Sequence, residues 1–221
     1  MSARQLECFI APYKPEESNA VNQLCEESIK TLCPRNYNSQ QVQALASCYS
    51  PEFSAKHIDI MNNIATFLNT VSPRNPDKPT AITAHFEDRI VGYASIVSYN
   101  LLSNDSLLAQ LFVHPEYARQ KVGTRLLQTL ENNMADRCKV IKIQATLTGE
   151  PFYQANGYQS IEQYSSFIRG VRIPFVCMEK WLTEPSEIEK FFWETSQQGI
   201  RNVEWLTTET EALVRGVIDR N

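Results

Sequence analysis

The stretch ARQKVGTRLLQTLENNM, Ala118–Met134, decides how the rest of the chain is read. Its second half is a helix by pattern. Val122, Leu126, Leu127, Leu130 and Met134 fall on one apolar stripe at helical spacing, and polar residues fill the rest. Its first half is a loop carrying Arg119, Lys121 and Arg125 around Gly123. The first-turn N–H groups of a helix lack intrahelical partners and sit at the positive end of the macrodipole. Cations placed there reinforce an anion site, and Gly123 removes a Cβ that would obstruct a phosphate near the main chain. A strand, a tight glycine-bearing loop and a helix thus form a phosphate cradle. The spacing is neither that of a Walker A loop nor that of a dinucleotide fingerprint.

Outward from this helix the texture divides. On the C-terminal side come VIKIQAT as a strand, GEPFYQANGY as a short helix stopped by Gly157, and the strands SIEQYSSFI and RIPFVCMEKWL. On the N-terminal side, AITAHF, IVGYASIVSY and SLLAQLFVH read as strands, the first two joined by a tight EDR turn. Gly92 inside the second marks a bulge or a close backbone approach. Further upstream, residues 5–11 read as a strand ended by Pro12 and Pro15. Residues 16–32 read as a helix with Ala20, Val21, Leu24, Ile29 and Leu32 near one face. Ser39 is placed to cap a short second helix, and residues 54–70 form a third amphipathic stretch. Residues 183–221 read as two short helices separated near Gly199, a tail carrying Trp193 and Trp205. The order predicts an α/β (α+β) protein with a mixed central sheet of about six to seven strands flanked by helices. The expected domains are residues 1–182 and a helical C-terminal extension over 183–221.

Bulk properties narrow the partners. A net charge of −4 over 221 residues gives no field that would draw nucleic acid or an anionic membrane. No apolar run reaches the roughly 20 residues of a bilayer span. The N-terminal MSARQLECFIAPYKPEE has charge and proline where a leader peptide needs an apolar run, so a cytoplasmic location is expected. Six cysteines without a C-x-x-C pair and three scattered histidines predict no metal site. The thiols are expected to be reduced and to pack as small hydrophobes, and none is placed beside a basic partner or a helix N-terminus.

LFVHPEYARQKVGTRLL followed by FYQANGY resembles the GNAT family, the Gcn5-related N-acetyltransferases. The family's acetyl-coenzyme A motif, [QR]-x-x-G-x-[GA], is met by Gln120, Lys121, Val122, Gly123 and Thr124, with Arg125 in place of the last small residue. The later FYxxxGF motif is met by Phe152, Tyr153, Gly157 and Tyr158. NYNSQQVQALA and ATLTGEPFYQANGY look most like small bacterial members of undefined substrate. The resemblance implies the GNAT fold and acetyl-coenzyme A as cosubstrate. It implies direct acetyl transfer to a primary amine of a small molecule or peptide, and leaves a homodimer as an option. It places the pyrophosphate at residues 120–125 and the pantetheine arm along Leu111, Phe112 and Val113. Tyr153 would donate a proton to the leaving thiolate. The family's usual fourth-strand carboxylate falls near Gln110, which cannot act as a base. Glu52, Glu87, Glu150 and His114 are the remaining candidates for that role, and Tyr37, Tyr49 and Phe53 for the acceptor pocket. Two other readings stand beside the enzyme: an acyl-coenzyme A sensor without turnover, and an interaction protein that docks through its tail.

Overall fold

The computed structural model describes residues 7–50, 78–98 and 105–189. The amphipathic stretch over 54–70, Glu52, Phe53 and most of the 183–221 tail lie outside the described residues. Seven strands form one mixed sheet: β1 (Phe9–Pro12), β2 (Ala81–Phe86), β3 (Arg89–Ser98), β4 (Asp105–Val113), β5 (Val140–Thr146), β6 (Gln159–Ile168) and β7 (Val171–Trp181). Their order is β1-β2-β3-β4-β5-β7-β6. Every pairing is antiparallel except β4 with β5. That parallel step requires a crossover, and the crossover is the helix read from the opening stretch. The helices are α1 (Ser18–Leu32), α2 (Ser39–Ser47), α3 (Val122–Met134) and α4 (Glu150–Ala155).

The sheet is covered on both faces. All five stripe residues of α3 are at most 1 % exposed and pack with Ile82, Ala84, Ala94, Ile96, Ile141 and Ile143 on one face. On the other face α1 sets Val21, Leu24 and Cys25 against Tyr93, and α2 sets Ala44 and Leu45 with Ile173. Three local expectations are corrected. Ala20 is exposed, and the buried face of α1 runs instead through Val21, Leu24, Cys25, Ser28 and Ile29. The cap of α2 is Asn38, whose side chain accepts from the Gln41 amide at 3.0 Å while the Gln41 side chain returns a bond to Asn38 N–H, also at 3.0 Å. This reciprocal box satisfies two orphan groups, which Ser39 one position later does not. Finally, β1 covers only Phe9–Pro12 among the described residues, and Pro12 closes this edge strand from within, paired in register with Ile82.

Gly92 meets both of its expectations. Ala84 pairs with Gly92 and His85 with Ile90, which leaves Val91 as the extra residue of a bulge. A Cβ built on Gly92 would come within 2.7 Å of Leu126 Cδ1 and 3.0 Å of Val122 Cγ1. The glycine therefore lets the start of α3 lie directly on β3.

Tyr37 fixes the far side of the sheet. Its hydroxyl accepts from Leu147 N–H at 2.8 Å and donates to Pro174 C=O at 2.7 Å, joining the α1–α2 connection to β7 and to the residue after β5. Burial pushes the phenol up to about 12, so the donor proton stays on the oxygen at neutral pH. Tyr37→Phe strands both backbone groups. Urea unfolding is expected to show a loss of about 1–3 kcal/mol, the cost of an unsatisfied buried group.

The chain divides into two compact units, residues 1–183 and 184–221. In the second, Ser186 and Glu189 cap each other reciprocally where helical residues begin at Glu187.

Candidate functional site

The β4–β5 ladder stops early. It pairs Asp105–Leu108 with Val140–Ile143 and goes no further, although β4 continues to Val113 and β5 to Thr146. The reason lies in β4. Ser95 pairs with Gln110 and Ile96 with Leu108, so Ala109 is an extra, bulged residue. A bulge bends its strand and increases the local twist. From Ala109 onward β4 stays with β3 and leaves β5, which opens a wedge between the two parallel strands. Leu111, Phe112 and Val113 stand along that open edge. Leu111 and Val113 pack toward the α3 face and Phe112 toward α1 and α2.

The anion cradle lies at the same end of β4. Pro115–Tyr117 form a single 3-10 turn, and the loop to α3 follows. In this loop Arg119 (φ 62°) and Lys121 (φ 65°) both occupy the left-handed region. Neither is glycine, and each such residue costs on the order of 1–3 kcal/mol, a strain that concentrates at binding sites. Lys121 is the N-cap of α3 and offers no side-chain cap, so the first-turn amides are left for a ligand. Arg119 and Lys121 are exposed, Gln120 and Thr124 half-buried, and Val122 and Gly123 buried. The Gln120 side chain folds back and donates to Glu116 C=O at 2.8 Å.

Gly123 has a packing role that the sequence reading did not include. A Cβ there would meet the Phe152 ring and Val113 Cγ2, each at 3.3 Å. The space is filled by the protein's own side chains, and through this contact α4 is held against the start of α3. Arg125 also departs from expectation. Its Nη1 donates to Cys8 Sγ at 3.2 Å. The reading that no cysteine has a basic neighbour is thereby corrected, because the partners are 117 residues apart in sequence. Cys8 is 3 % exposed, which leaves it no access to a substrate.

Phe152 leads directly to Tyr153. The two rings meet edge to face at 5.0 Å, and Tyr153 meets Tyr158 at 5.6 Å. A paired C-terminal turn fixes α4: Tyr158 N–H bonds Tyr153 C=O and Gly157 N–H bonds Gln154 C=O, with Gly157 at φ 88°. Burial raises the Tyr153 phenol well above its ordinary range, so it is a protonated donor at every physiological pH.

The proposed bases fare differently. Gln110 is buried and bonded at both ends, accepting from Ser95 Oγ at 3.4 Å and donating to Tyr49 Oη at 3.2 Å. Tyr49 in turn packs edge to face on Phe112 at 5.1 Å. Glu150 accepts from Ser160 Oγ at 2.7 Å and Gln154 Nε2 at 3.2 Å. Glu87 occupies the β2–β3 turn at φ 52°. His114 caps the 3-10 turn. Tyr37 and Tyr49 are both engaged in the packing described above.

A sheet wedged open beside a strained, cationic helix start is the architecture of an acyl-coenzyme A-dependent transferase. The profile of the family described as "Acetyltransferase (GNAT) domain" matches residues 35–182, and the chain belongs to that family. Among solved structures it is similar to a GCN5-related N-acetyltransferase from Rhodopseudomonas palustris, with 24 % identity and a TM-score of 0.62 over 82 % of this chain and 99 % of that one. It is also similar to the PaiA N-acetyltransferase of Thermoplasma acidophilum, solved with coenzyme A, at 18 % identity and a TM-score of 0.59 over 79 % and 99 % of the two chains. A third is the ribosomal-protein-S18-alanine N-acetyltransferase of Escherichia coli, at 12 % identity and a TM-score of 0.54 over 82 % and 97 %. No curated protein sequence matches the chain. The family's cosubstrate is acetyl-coenzyme A, and the residues here suit it: first-turn amides without a side-chain cap and two exposed cations for a pyrophosphate, and an open strand edge for the amides of a pantetheine arm. No described helix is long and apolar enough to cross a membrane.

Proposed function

We propose that the chain is an N-acetyltransferase that passes acetyl directly to a primary amine, on a small molecule or a peptide, within a ternary complex. The observation that carries this reading is the early end of the β4–β5 ladder next to the strained start of α3. Bound acetyl-coenzyme A supplies the acetyl group as a thioester. The main chain of residues 120–125, with Lys121 and Arg119, binds the pyrophosphate, and the open edge at Leu111, Phe112 and Val113 aligns the arm. Alignment of two reactants at attack distance is worth several kcal/mol, up to roughly 7–11 in ideal cases. Tyr153 Oη, which burial keeps protonated, gives its proton to the departing sulfur. The amine loses its own proton to water, since the Gln110 amide is no base and cannot accept it.

A sensor that holds the coenzyme without turnover is the second reading, favoured by one observation: Gln110 is locked between Ser95 and Tyr49 where relatives use a carboxylate.

Calorimetric titration with acetyl-coenzyme A tests the cradle. Micromolar binding is expected, about −8 kcal/mol. The Arg119→Ala/Lys121→Ala variant should weaken it about tenfold, with a reduced salt dependence. Equal affinity of variant and wild type would place the anion elsewhere. Tight binding with no acetylation across an amine panel would favour the sensor.

A further inference from the structure

We infer that His114 is a positioning residue for the coenzyme cradle, tying the turn that feeds the strained loop to helix α1; the inference rests on the cradle reading above. His114 follows the last residue of β4, and its own N–H is fixed to Val91 C=O at 2.9 Å. Its Nδ1 lies 3.3 Å from the backbone N–H of Glu116. A backbone N–H can only donate, so Nδ1 is the accepting nitrogen and the ring proton belongs on Nε2. Nε2 stands 3.2 Å from Glu27 Oε2, a contact between the proton-bearing nitrogen and a carboxylate of α1. The imidazole thus caps the 3-10 turn with one nitrogen and meets the Glu27 carboxylate of α1 with the other.

Other groups also border the ring. Arg89 Nη2 lies 3.5 Å from Nε2, and its Nη1 reaches the Glu116 carboxylate at 3.7 Å. Glu116 Oε2 stands 4.0 Å from Nδ1. Tyr117 packs edge to face on the ring at 5.6 Å and meets Phe86 at 5.7 Å. The capped turn then controls the cradle, because Glu116 C=O is the acceptor for the Gln120 side chain at 2.8 Å. From Glu27 the path runs by a close polar contact to His114, and from there by one hydrogen bond each to Glu116 and Gln120. Gln120 lies between Arg119 and Lys121, the two residues held in left-handed conformation. Strained residues keep their conformation only when their surroundings over-determine it, and this chain of contacts is such a surrounding. It also couples the cradle to α1, which covers the opposite face of the sheet.

Two variants separate capping from mere bulk. His114→Ala removes both contacts and should weaken acetyl-coenzyme A binding about tenfold, the scale of a lost cap, with kcat changed less than about twofold if turnover is measurable. His114→Asn restores a strong cap in a smaller side chain and should recover affinity to within about threefold of wild type. Nitrogen NMR of the imidazole, at neutral pH without ligand, should show a bare Nδ1 and a protonated Nε2. Amide exchange at Glu116 should be slow in wild type and His114→Asn and fast in His114→Ala. A protonated Nδ1, unchanged exchange at Glu116, or His114→Ala affinity equal to wild type each overturns the assignment. If wild type binds no acetyl-coenzyme A, the proposed function fails, and the tautomer and the Glu116 exchange still decide the role of His114.

Discussion

Tyr153→Phe lowers kcat for amine acetylation by about 10²- to 10⁴-fold, the usual worth of general acid catalysis, and leaves acetyl-coenzyme A affinity within about twofold. The substitution removes one oxygen and no ring. The contacts with Phe152 and Tyr158 that seat the side chain remain, and so does the turn closed by Gly157. Stability therefore changes little, and the loss appears in turnover. The pH profile carries the same argument with a defined sign. Burial raises the folded phenol above the ordinary tyrosine range, so the acid form persists through pH 10 and beyond. A lysine-like acceptor, with pKa near 10.4, becomes more nucleophilic as pH rises. Wild-type kcat/KM should thus climb from pH 7 to pH 10 with no alkaline fall caused by Tyr153, and Tyr153→Phe should climb in parallel at a lower level. Steady-state rates across that range decide it. A Tyr153→Phe enzyme as fast as wild type would reduce Tyr153 to an aromatic packed between Phe152 and Tyr158.

The strands and the crossover helix are legible because each rests on local periodicity, and the two motifs are legible through the family resemblance they carry. The apolar stripe of α3, the strand VIKIQAT and the left-handed Gly157 fall where the pattern puts them. What escaped depends on long-range geometry or on a single extra residue. Ala109 is an ordinary alanine in an apolar strand, and nothing nearby marks it as the bulge that parts β4 from β5. The Arg125–Cys8 contact joins residues 117 apart in the sequence. In the sequence Gly123 speaks only for its backbone, and its contact with Phe152 depends on where α4 packs. The strain at Arg119 and Lys121 was equally hidden, because positive charge attracts notice in a sequence and a positive φ on a non-glycine residue does not. Asn38 and Ser39 are both good caps, and only the matching Gln41, three residues after Asn38, chooses between them.

Leu126→Ala destabilises the protein by about 2–5 kcal/mol and Gly92→Val by about 1–3 kcal/mol, and the double variant loses less than the sum. Leu126 is fully buried, and its Cδ1 lies 2.7 Å from where a Gly92 Cβ would stand. The leucine thus occupies volume that any side chain at position 92 must claim. Its truncation leaves a cavity in the α3 core, which the strand cannot collapse to fill because β3 is paired on both sides, to β2 and β4. Valine at 92 overpacks the same place, and Val122, whose Cγ1 is 3.0 Å from that Cβ position, blocks the other direction of escape. In the double variant the valine fills part of the leucine's cavity. Urea unfolding of the four proteins closes the cycle, and additive losses would mean that the two sites do not share one space. The Gly92→Val defect also reaches function, since Val122 opens the helix whose first turn binds the anion. Acetyl-coenzyme A affinity should fall with Gly92→Val and recover partly when Leu126→Ala is added. The single Leu126→Ala variant, made one turn further along α3, should bind nearly as wild type while it remains folded. Rank order in affinity and rank order in stability then differ, and that difference separates a displaced cradle from a merely weakened fold.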